Sequence, residues 1–312
     1  MLHSATAAGL IAASGGPRLA GDTLHLKAEH LQKTGSFKAR GMTNRILTLS
    51  DDQRRAGVIT VSAGNAAQAC AWAAQALGVP ATVIMPEAAV RSKLDACHGY
   101  RAEVVIHGSH VGEMFAEQER LSRERGLTFV HPFDDPELIA GHGSAGLEIV
   151  EDLPEVDVVV VPIGGGGLIS GVATAVKELR PATRVYGVEP EGANAMRLAL
   201  DAGAPVRIEP RTVADGLTAP FAGAWTLAAC RRYLEDVILI DDATILGGLR
   251  FALERMKQVL EPAGAAGLAA VLYGRIPIRD GETVCVVGSG GNVEMSRIGQ
   301  LLEAAAPLPT AS

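Results

Sequence analysis

The sequence predicts an α/β fold built on parallel sheets, and three features of the chain support that prediction. Short runs rich in valine and isoleucine alternate with longer amphipathic segments along most of the 312 residues. Strands of this composition, separated by helices, are typical of parallel sheets covered on both faces. Glycine-rich loops beginning near Ser62, Gly164 and Ser289 each follow an apolar run. Because ligands gather at the carboxyl ends of parallel strands, these loops indicate one shared crevice.

The predicted elements follow in order along the chain. A strand over 58–61 leads into the loop at Ser62 and a helix over 66–77, and a later helix is expected over 112–125. The other predicted strands are short and apolar. They are placed at 81–85, 104–106, 128–130, 157–161, 185–188, 237–240 and 283–287.

Length and composition bound the class of protein. A chain of 312 residues is long enough for two domains, and 48% hydrophobic with 20% charged residues is ordinary for a globular protein. We predict a small domain over 47–134, which carries the Ser62 loop, inserted into a large domain formed by 1–46 and 135–312. The net charge of -7 argues against nucleic acid as a partner, because phosphate backbones need a basic face.

Cysteine spacing and the N-terminal segment predict a cytoplasmic protein. The four cysteines are widely spaced with no CxxC pair, which favours reduced thiols over a disulfide framework. The first residues lack a basic segment, so no signal peptide is expected. The uncharged stretch 158–176 contains Pro162 and four glycines, which would break a membrane-spanning helix. We expect strand, loop and helix there, no membrane association, and no regulatory domain after Asn292.

The four consecutive glycines from Gly164 to Gly167 predict a phosphate site. Successive N–H groups without side chains can converge on one phosphate, helped by the dipole of the following helix. The alternative is a flexible turn packed against a neighbour, but four glycines cost much backbone entropy. A Walker loop needs GKS or GKT at its end, and a dinucleotide fingerprint needs a glycine where Ile169 or Ser170 stands. Both nucleotide motifs are therefore excluded.

Three further positions have both a structural and a chemical interpretation. Most lysines are solvated, but Lys38 follows Phe37, and a lysine held beside an aromatic and away from water becomes nucleophilic. The loop Ser62-Ala63-Gly64-Asn65 is either a carboxylate cradle or an ordinary helix N-cap. Ser289 is either a turn residue or a hydroxyl partner for a heterocyclic nitrogen.

Seven segments between about Leu24 and Asn292 together resemble the fold-type II (tryptophan synthase β-like) pyridoxal-phosphate enzymes, specifically the threonine/serine dehydratase and serine racemase group. In the family's order they are KTGSFKARG, SAGNAAQA, HPFDDPELIAGHGS, PIGGGGLISG, YGVEP, EPAGAAG and GSGGNVE. The resemblance implies two parallel-type α/β domains with pyridoxal 5′-phosphate in the cleft between them. It also implies a homodimer that acts on a small amino acid.

The resemblance assigns cofactor roles to particular residues. Lys38 would form the Schiff base and later accept the proton from the substrate Cα. Asn65 would bond to the 3′-oxygen of the ring, Phe37 would pack against the ring, and Ser289 would face the pyridine nitrogen. The phosphate would be bound by the loop residues Gly164, Gly165, Gly166, Gly167 and Leu168.

The substrate carboxylate, by the same resemblance, would be held by Ser62, Ala63, Gly64 and Asn65. Similar racemases place a second serine where Ala63 stands, and alanine cannot transfer a proton, so racemisation should be minor. Ala66 replaces a histidine common in the family, which leaves the size of the substrate open. Glu261 lies in a loop that comes near the ring in relatives, and it receives no role.

A metal site stays unassigned. Some relatives hold a divalent ion at positions that correspond to Glu189, Ala193 and Ala195, and without the second carboxylate a hard cation loses a ligand. The group His107, Ser109, His110 and Glu113 lacks a fourth ligand of the usual kind. A loop leading into a helix is the preferred interpretation of that group.

The resemblance and the site chemistry predict an elimination reaction. A neutral Ser289 does not force the pyridine nitrogen to stay protonated, so the ring is a milder electron sink and loss of a β-hydroxyl is favoured. L-Threonine or L-serine would give a 2-oxo acid and ammonia. The alternatives are 3-hydroxyaspartate or a β-aryl serine as substrate, a racemase or β-replacement enzyme, and a non-catalytic ligand-binding protein.

Overall fold

The computed structural model describes residues 1–89 and 91–309, which divide into two compact units. The first unit combines Met1–Leu31 with the described residues from Gly143 onward, and the second unit is Gln32–His142. The domain boundaries expected at 46/47 and 134/135 concern independently folding domains, and they stay a prediction.

Within the described residues, ten strands form two sheets. The strands are β1 (Leu2–Ser4), β2 (Leu24–Lys27), β3 (Val58–Val61), β4 (Ala81–Met85), β5 (Glu103–Ile106), β6 (Thr128–Phe129), β7 (Val158–Pro162), β8 (Arg184–Pro190), β9 (Asp236–Ile240) and β10 (Val284–Val287). The sheet of the first unit has the order β1-β2-β10-β7-β8-β9, and that of the second unit has the order β5-β4-β3-β6. All neighbours pair in parallel except β1 and β2, which are antiparallel.

Thirteen α-helices occur in the same described part of the chain. They are α1 (Ala5–Ala13), α2 (Lys38–Leu47), α3 (Asp51–Ala56), α4 (Asn65–Ala76), α5 (Arg91–Gly99), α6 (Val111–Arg125), α7 (Pro136–Asp152), α8 (Gly167–Leu179), α9 (Ala195–Ala202), α10 (Ala224–Tyr233), α11 (Asp242–Phe251), α12 (Pro262–Leu272) and α13 (Met295–Glu303). Short helical turns at Lys33–Gly35 and Asp215–Leu217 lie next to the site residues described below.

Each unit has its own hydrophobic core. In the first unit every residue of β7 and of α12 is buried, as expected for a parallel sheet covered on both faces. Small residues let α12 approach its neighbours closely, since a Cβ on Gly264 would come within 2.2 Å of the Gly290 carbonyl oxygen. In the second unit all four residues of β3 are buried, and the alanine-rich α4 packs over the sheet.

The predicted α/β class and its parallel sheets are confirmed. The stretch 158–176 forms strand, loop and helix as predicted, and none of the described helices has the length and apolar character needed to cross a membrane. The sequence analysis missed β1 and β2, because β1 has three residues and shows only one buried side chain. The antiparallel pairing of these two strands is a departure from an all-parallel sheet.

Candidate active site

Lys38 is the first residue of α2, in the second unit. Its side chain is partly buried, and the amine donates a hydrogen bond to the Pro132 carbonyl at 2.5 Å. The Nζ atom lies 5.1 Å from the centre of the Phe37 ring. Burial of the amine lowers the pKa of Lys38 from 10.5 to about 8. At neutral pH this amine is therefore uncharged far more often than an ordinary lysine amine.

The backbone around Lys38 depends on residues with special conformations or small size. Thr34 and Gly35, in the turn just before α2, both have left-handed backbones, with φ values of 61° and 69°. A Cβ on Gly41 would come within 2.4 Å of the His142 ring, so only glycine fits there. The His142 ring in turn packs edge-on against Phe37, with 4.8 Å between ring centres. These contacts fix the start of α2 and the aromatic beside the lysine.

The loop from Ser62 to Asn65 joins β3 to α4. The Ser62 N–H donates to the Ile84 carbonyl at 3.1 Å, and the Gly64 N–H donates to the Ser62 hydroxyl at 3.0 Å. Asn65 begins α4, which packs against α2 and against the turn Lys33–Gly35. The second unit thus brings the predicted carboxylate loop and the predicted reactive lysine onto neighbouring helices.

Lys93 is a residue that the sequence analysis missed. Its Nζ atom lies 3.7 Å from the position that a Cβ on Gly64 would take, so a cation stands beside the loop predicted to hold a carboxylate. In the sequence Lys93 lies in a charged stretch that is typical of a solvated helix face. No local signal distinguishes it from other surface lysines.

In the first unit the four glycines lie between β7 and α8. Gly166 has a left-handed backbone with φ 92°, and a Cβ there would come within 2.6 Å of the Met196 Cε and 2.8 Å of the Thr226 Cβ. Gly167 begins α8, whose first N–H groups carry no side-chain cap. A bare-backbone loop at the N-terminus of a helix is a suitable phosphate site.

Contacts within the first unit connect the glycine loop to the other predicted site residues. A Cβ on Gly164 would lie 3.2 Å from the Gly216 carbonyl oxygen, and one on Gly216 would lie 3.6 Å from Glu261 Oε1. Glu261 precedes α12, which contacts the loop containing Ser289 through Gly264 and Gly290. The structure therefore brings the glycine loop, Glu261 and the buried Ser289 into one region of this unit. The turn Asp215–Leu217 between them was missed, although its Asp-Gly pair is a turn signal.

Glu189, at the end of β8, acts as a helix cap. Its two carboxylate oxygens accept hydrogen bonds from the N–H groups of Met196 and Arg197, at 2.8 and 2.9 Å, in the first turn of α9. Burial raises the pKa of Glu189 to about 7, although both hydrogen bonds act in the opposite direction. Over residues 1–89 and 91–309 we find no group of three or more His, Cys, Asp or Glu side chains placed to hold a metal.

The group at His107–Glu113 has the predicted loop-to-helix structure. His110 caps α6, and its Nδ1 accepts the Glu113 N–H at 3.4 Å. The Glu113 carboxylate accepts the Ser109 N–H at 2.7 Å, so these side chains serve the helix start.

Comparison with known proteins places this architecture in a family. The family model for the pyridoxal-phosphate dependent enzymes matches residues 7–290. The chain is 43% identical to the L-threonine ammonia-lyase of Thermotoga maritima over 283 residues, which cover 90% of this chain and 70% of that protein. It is 40% identical to the catabolic L-threonine dehydratase TdcB of Escherichia coli K12 over 281 residues, covering 89% and 85%.

Solved structures agree with this placement. A threonine deaminase from the organism abbreviated T.th. superimposes with a TM-score of 0.85 at 41% identity, covering 94% of this chain and 92% of that one. Maize serine racemase superimposes with a TM-score of 0.86 at 35% identity, covering 95% and 89%. Because the family model spans most of the chain and these relatives match it nearly end to end, the chain belongs to the pyridoxal-phosphate-dependent enzyme family, and its cofactor is pyridoxal 5′-phosphate.

Proposed function

We propose that this protein is an ammonia-lyase that converts L-threonine or L-serine into a 2-oxo acid and ammonia. The observation that carries the proposal is the enclosed Lys38 amine, whose pKa is lowered to about 8, in a member of a pyridoxal-phosphate family. Relatives named L-threonine ammonia-lyase or threonine dehydratase share 40% to 45% identity over about nine tenths of the chain, which supports this choice of reaction.

The chain offers groups that fit the cofactor. Pyridoxal phosphate, when bound, supplies an aldehyde that condenses with amines and a ring that withdraws electrons from the substrate Cα. Lys38 would hold it covalently, Phe37 would pack against the ring, and Asn65 and Ser289 would bond to its polar ring atoms. The phosphate would be held by Gly164, Gly165, Gly166, Gly167 and Leu168, where the cradle around Gly166 has no room for a side chain.

The same residues account for the chemistry that we propose. Lys38 Nζ is the base that takes the proton from the substrate Cα, since its lowered pKa leaves it uncharged in part at neutral pH. The loop of Ser62, Ala63, Gly64 and Asn65 orients the substrate carboxylate, with the Lys93 cation beside it. Atoms balance because the β-hydroxyl leaves as water and a second water replaces the amino group.

Ala63 favours elimination over inversion at Cα. Racemisation needs a second proton donor on the opposite face of the substrate, and an alanine side chain has no proton to transfer. Serine racemase and aspartate racemase are nevertheless structural neighbours, at 35% and 32% identity with TM-scores of 0.86 and 0.87. A racemase is therefore the second candidate function.

A panel of β-hydroxy amino acids tests the proposal. Purified enzyme is incubated with L-threonine, L-serine, 3-hydroxyaspartate and a β-aryl serine, while the 2-oxo acid, ammonia and the chirality of the remaining amino acid are measured. We expect 2-oxo acid from threonine or serine, at a rate well above D-isomer formation. Faster D-serine than pyruvate formation would replace the lyase with the racemase. No turnover of any substrate would favour a non-catalytic ligand-binding protein.

Borohydride reduction tests the assignment of the lysine. Reduction of the loaded enzyme followed by peptide mass spectrometry should place the pyridoxyl group on Lys38. Lys38→Ala should lose both the label and the visible absorbance. A label on another lysine would defeat the site assignment while leaving the family unchanged.

We also propose a cytoplasmic homodimer. The four cysteines are free and buried, and burial raises the pKa of Cys70, Cys230 and Cys285 to about 12, so these thiols resist oxidation and do not depend on an oxidising compartment. The dimer rests on the family resemblance. Light scattering after size-exclusion chromatography should give twice the mass of one chain, and a monomer mass would contradict it.

A further inference from the structure

A histidine in the second unit lies inside an aromatic cluster close to Lys38. The ring of His131, two residues after β6, has its centre 4.5 Å from that of Phe133, 5.6 Å from that of Phe129 and 6.1 Å from that of Phe115. Burial lowers the pKa of His131 to about 4, although the nearby Asp134 carboxylate acts in the opposite direction. The imidazole is therefore uncharged at neutral pH.

One ring nitrogen of His131 holds the backbone of the loop that follows it. Nδ1 accepts hydrogen bonds from the Asp134 N–H at 2.8 Å and from the Phe133 N–H at 3.2 Å. An accepting Nδ1 carries no proton, so the proton of the neutral ring is on Nε2. Phe133 is buried, and a buried N–H that loses its acceptor is costly. The imidazole thus fixes the backbone from 131 to 134.

The carbonyl held inside this loop is the one that contacts Lys38. Proline has a fixed φ and no N–H, so the carbonyl is the only hydrogen-bonding group of Pro132. That carbonyl accepts the hydrogen bond from Lys38 Nζ at 2.5 Å.

The two ends of the loop are anchored by other bonds. Before it, the Val130 carbonyl accepts from the Thr60 hydroxyl at 2.8 Å. After it, the Asp135 carboxylate binds Arg45 Nε on α2 at 2.7 Å. Between these anchors the His131 ring is the side chain that sets where the Pro132 carbonyl points.

We propose that His131 is a positioning residue for Lys38: its Nδ1 shapes the 131–134 loop so that the Pro132 carbonyl holds the lysine amine at the enclosed start of α2. The inference deepens the proposed function and rests on Lys38 as the reactive amine. His131 acts through Pro132 and does not touch the reacting atoms. Its contribution is to keep the amine in place and away from water before the cofactor binds.

Two substitutions separate the acceptor from the aromatic ring. His131→Asn keeps an acceptor near the position of Nδ1 and loses the ring. His131→Phe keeps a ring that can pack in the cluster and loses the acceptor. As a matched control, His110→Phe removes an Nδ1 acceptor that serves the Glu113 N–H at the exposed start of α6, in the same unit.

The readout is the pH dependence of Lys38 labelling. Full-length chains are freed of pyridoxal phosphate by dialysis against hydroxylamine and treated with trinitrobenzenesulfonate at several pH values. Peptide mass spectrometry then follows Lys38, with the exposed Lys257 as an internal reference. We expect the wild-type midpoint near pH 8. In His131→Phe it should rise by about half a pH unit or more, because the loosened loop lets water reach the amine.

The other variants and a second measurement complete the test. His131→Asn and His110→Phe should keep the wild-type midpoint, and only His131→Phe should take up pyridoxal phosphate several-fold more slowly. An unchanged midpoint in His131→Phe overturns the proposal. Equal shifts in His131→Asn and His131→Phe overturn it as well, since they would point to ring packing alone.

Folding and function are checked separately. Circular dichroism establishes that each variant is folded. If His131→Phe is not, His131→Asn decides: a wild-type midpoint supports the proposal and a raised one overturns it. The labelling needs neither cofactor nor substrate. A failure of the lyase assignment, seen as a borohydride label on another lysine or as no turnover, is therefore distinguishable from a failure of this inference.

Discussion

Lys38 shows how much of a residue's chemistry comes from contacts distant in sequence. The neighbouring Phe37 and the glycines around it already indicated an unusual lysine. The hydrogen bond to Pro132 spans 94 positions of the chain, and no local pattern could have predicted it. The lowered pKa follows from the enclosure that this packing produces.

The cation beside the carboxylate loop leads to a prediction on substrate binding. Lys93→Met should raise KM for the amino-acid substrate roughly fivefold, because a charge interaction of about 1 kcal/mol near the surface is lost. The value of kcat should change little, since the carboxylate is bound equally in the ground and transition states. Steady-state kinetics at fixed ionic strength measures both.

Arg91→Met is the matched control for this prediction. Arg91 lies on the same helix, is exposed, and pairs with Asp95 at 3.0 Å. It should leave KM unchanged. Equal KM values for Lys93→Met and the wild type would show that the cation does not contribute to substrate binding.

A second prediction at this scale concerns Gly166. Gly166→Ala places a Cβ at a left-handed position, within 2.6 Å of the Met196 side chain and 2.8 Å of Thr226. The loop must shift, so the affinity for pyridoxal phosphate should fall about tenfold or more. Absorbance titration of the cofactor-free enzyme measures this affinity.

Gly274→Ala separates backbone strain from the phosphate site. Gly274 is also left-handed, at φ 65°, but a Cβ there would meet nothing within 4 Å. It should lower the free energy of unfolding by about 1 kcal/mol and leave the cofactor affinity unchanged. Wild-type affinity in Gly166→Ala would remove this loop from the phosphate site.

At the scale of single elements, the start of α7 leads to a stability prediction. Asp135 Oδ1 accepts the N–H groups of Glu137 and Leu138 at 2.9 and 3.0 Å, and Oδ2 pairs with Arg45. Asp135→Ala loses the cap and a largely buried ion pair, and should lower the free energy of unfolding by about 2 to 3 kcal/mol. Asp135→Asn keeps an oxygen for the cap and should lower it by about 1 kcal/mol.

Urea unfolding measures this difference, and Ser50→Ala is the comparison. Ser50 caps the exposed helix α3, so its loss should lower the free energy of unfolding by about 1 kcal/mol. Equal effects of Asp135→Ala and Asp135→Asn would mean that the charge of Asp135, and not its capping, stabilises this region.

The elements themselves were predictable where their hydrophobic pattern was strong. The valine-rich strands β3, β7 and β10 fell within one residue of their predicted ends, because buried parallel strands read as continuous apolar runs. The pairing of β1 with β2 could not be predicted, since it depends on a partner 22 positions away in its register. The turn Asp215–Leu217 matters only through its contacts with Gly164 and Glu261, which are absent from any local pattern.

For the whole molecule, the enclosure of Lys38 should make stability depend on pH. The folded-state pKa of about 8 lies below the ordinary value of 10.5, so between these values the unfolded chain binds more protons than the folded one. The free energy of unfolding therefore rises with pH across this window, and the full penalty is present below pH 8. The step from 10.5 to about 8 corresponds to about 3 kcal/mol at the most.

Lys38→Met removes this penalty, because methionine has a similar length and no charge to desolvate. In the cofactor-free state the variant should be more stable than the wild type at pH 7, and the difference should shrink as the pH approaches 10. Urea unfolding at pH 7, 8, 9 and 10 measures it, with Lys257→Met at an exposed position as the control whose difference from wild type stays constant. A difference for Lys38→Met that is independent of pH would mean that the amine is hydrated in the folded chain, and the reactivity proposed for it would then lack its physical cause.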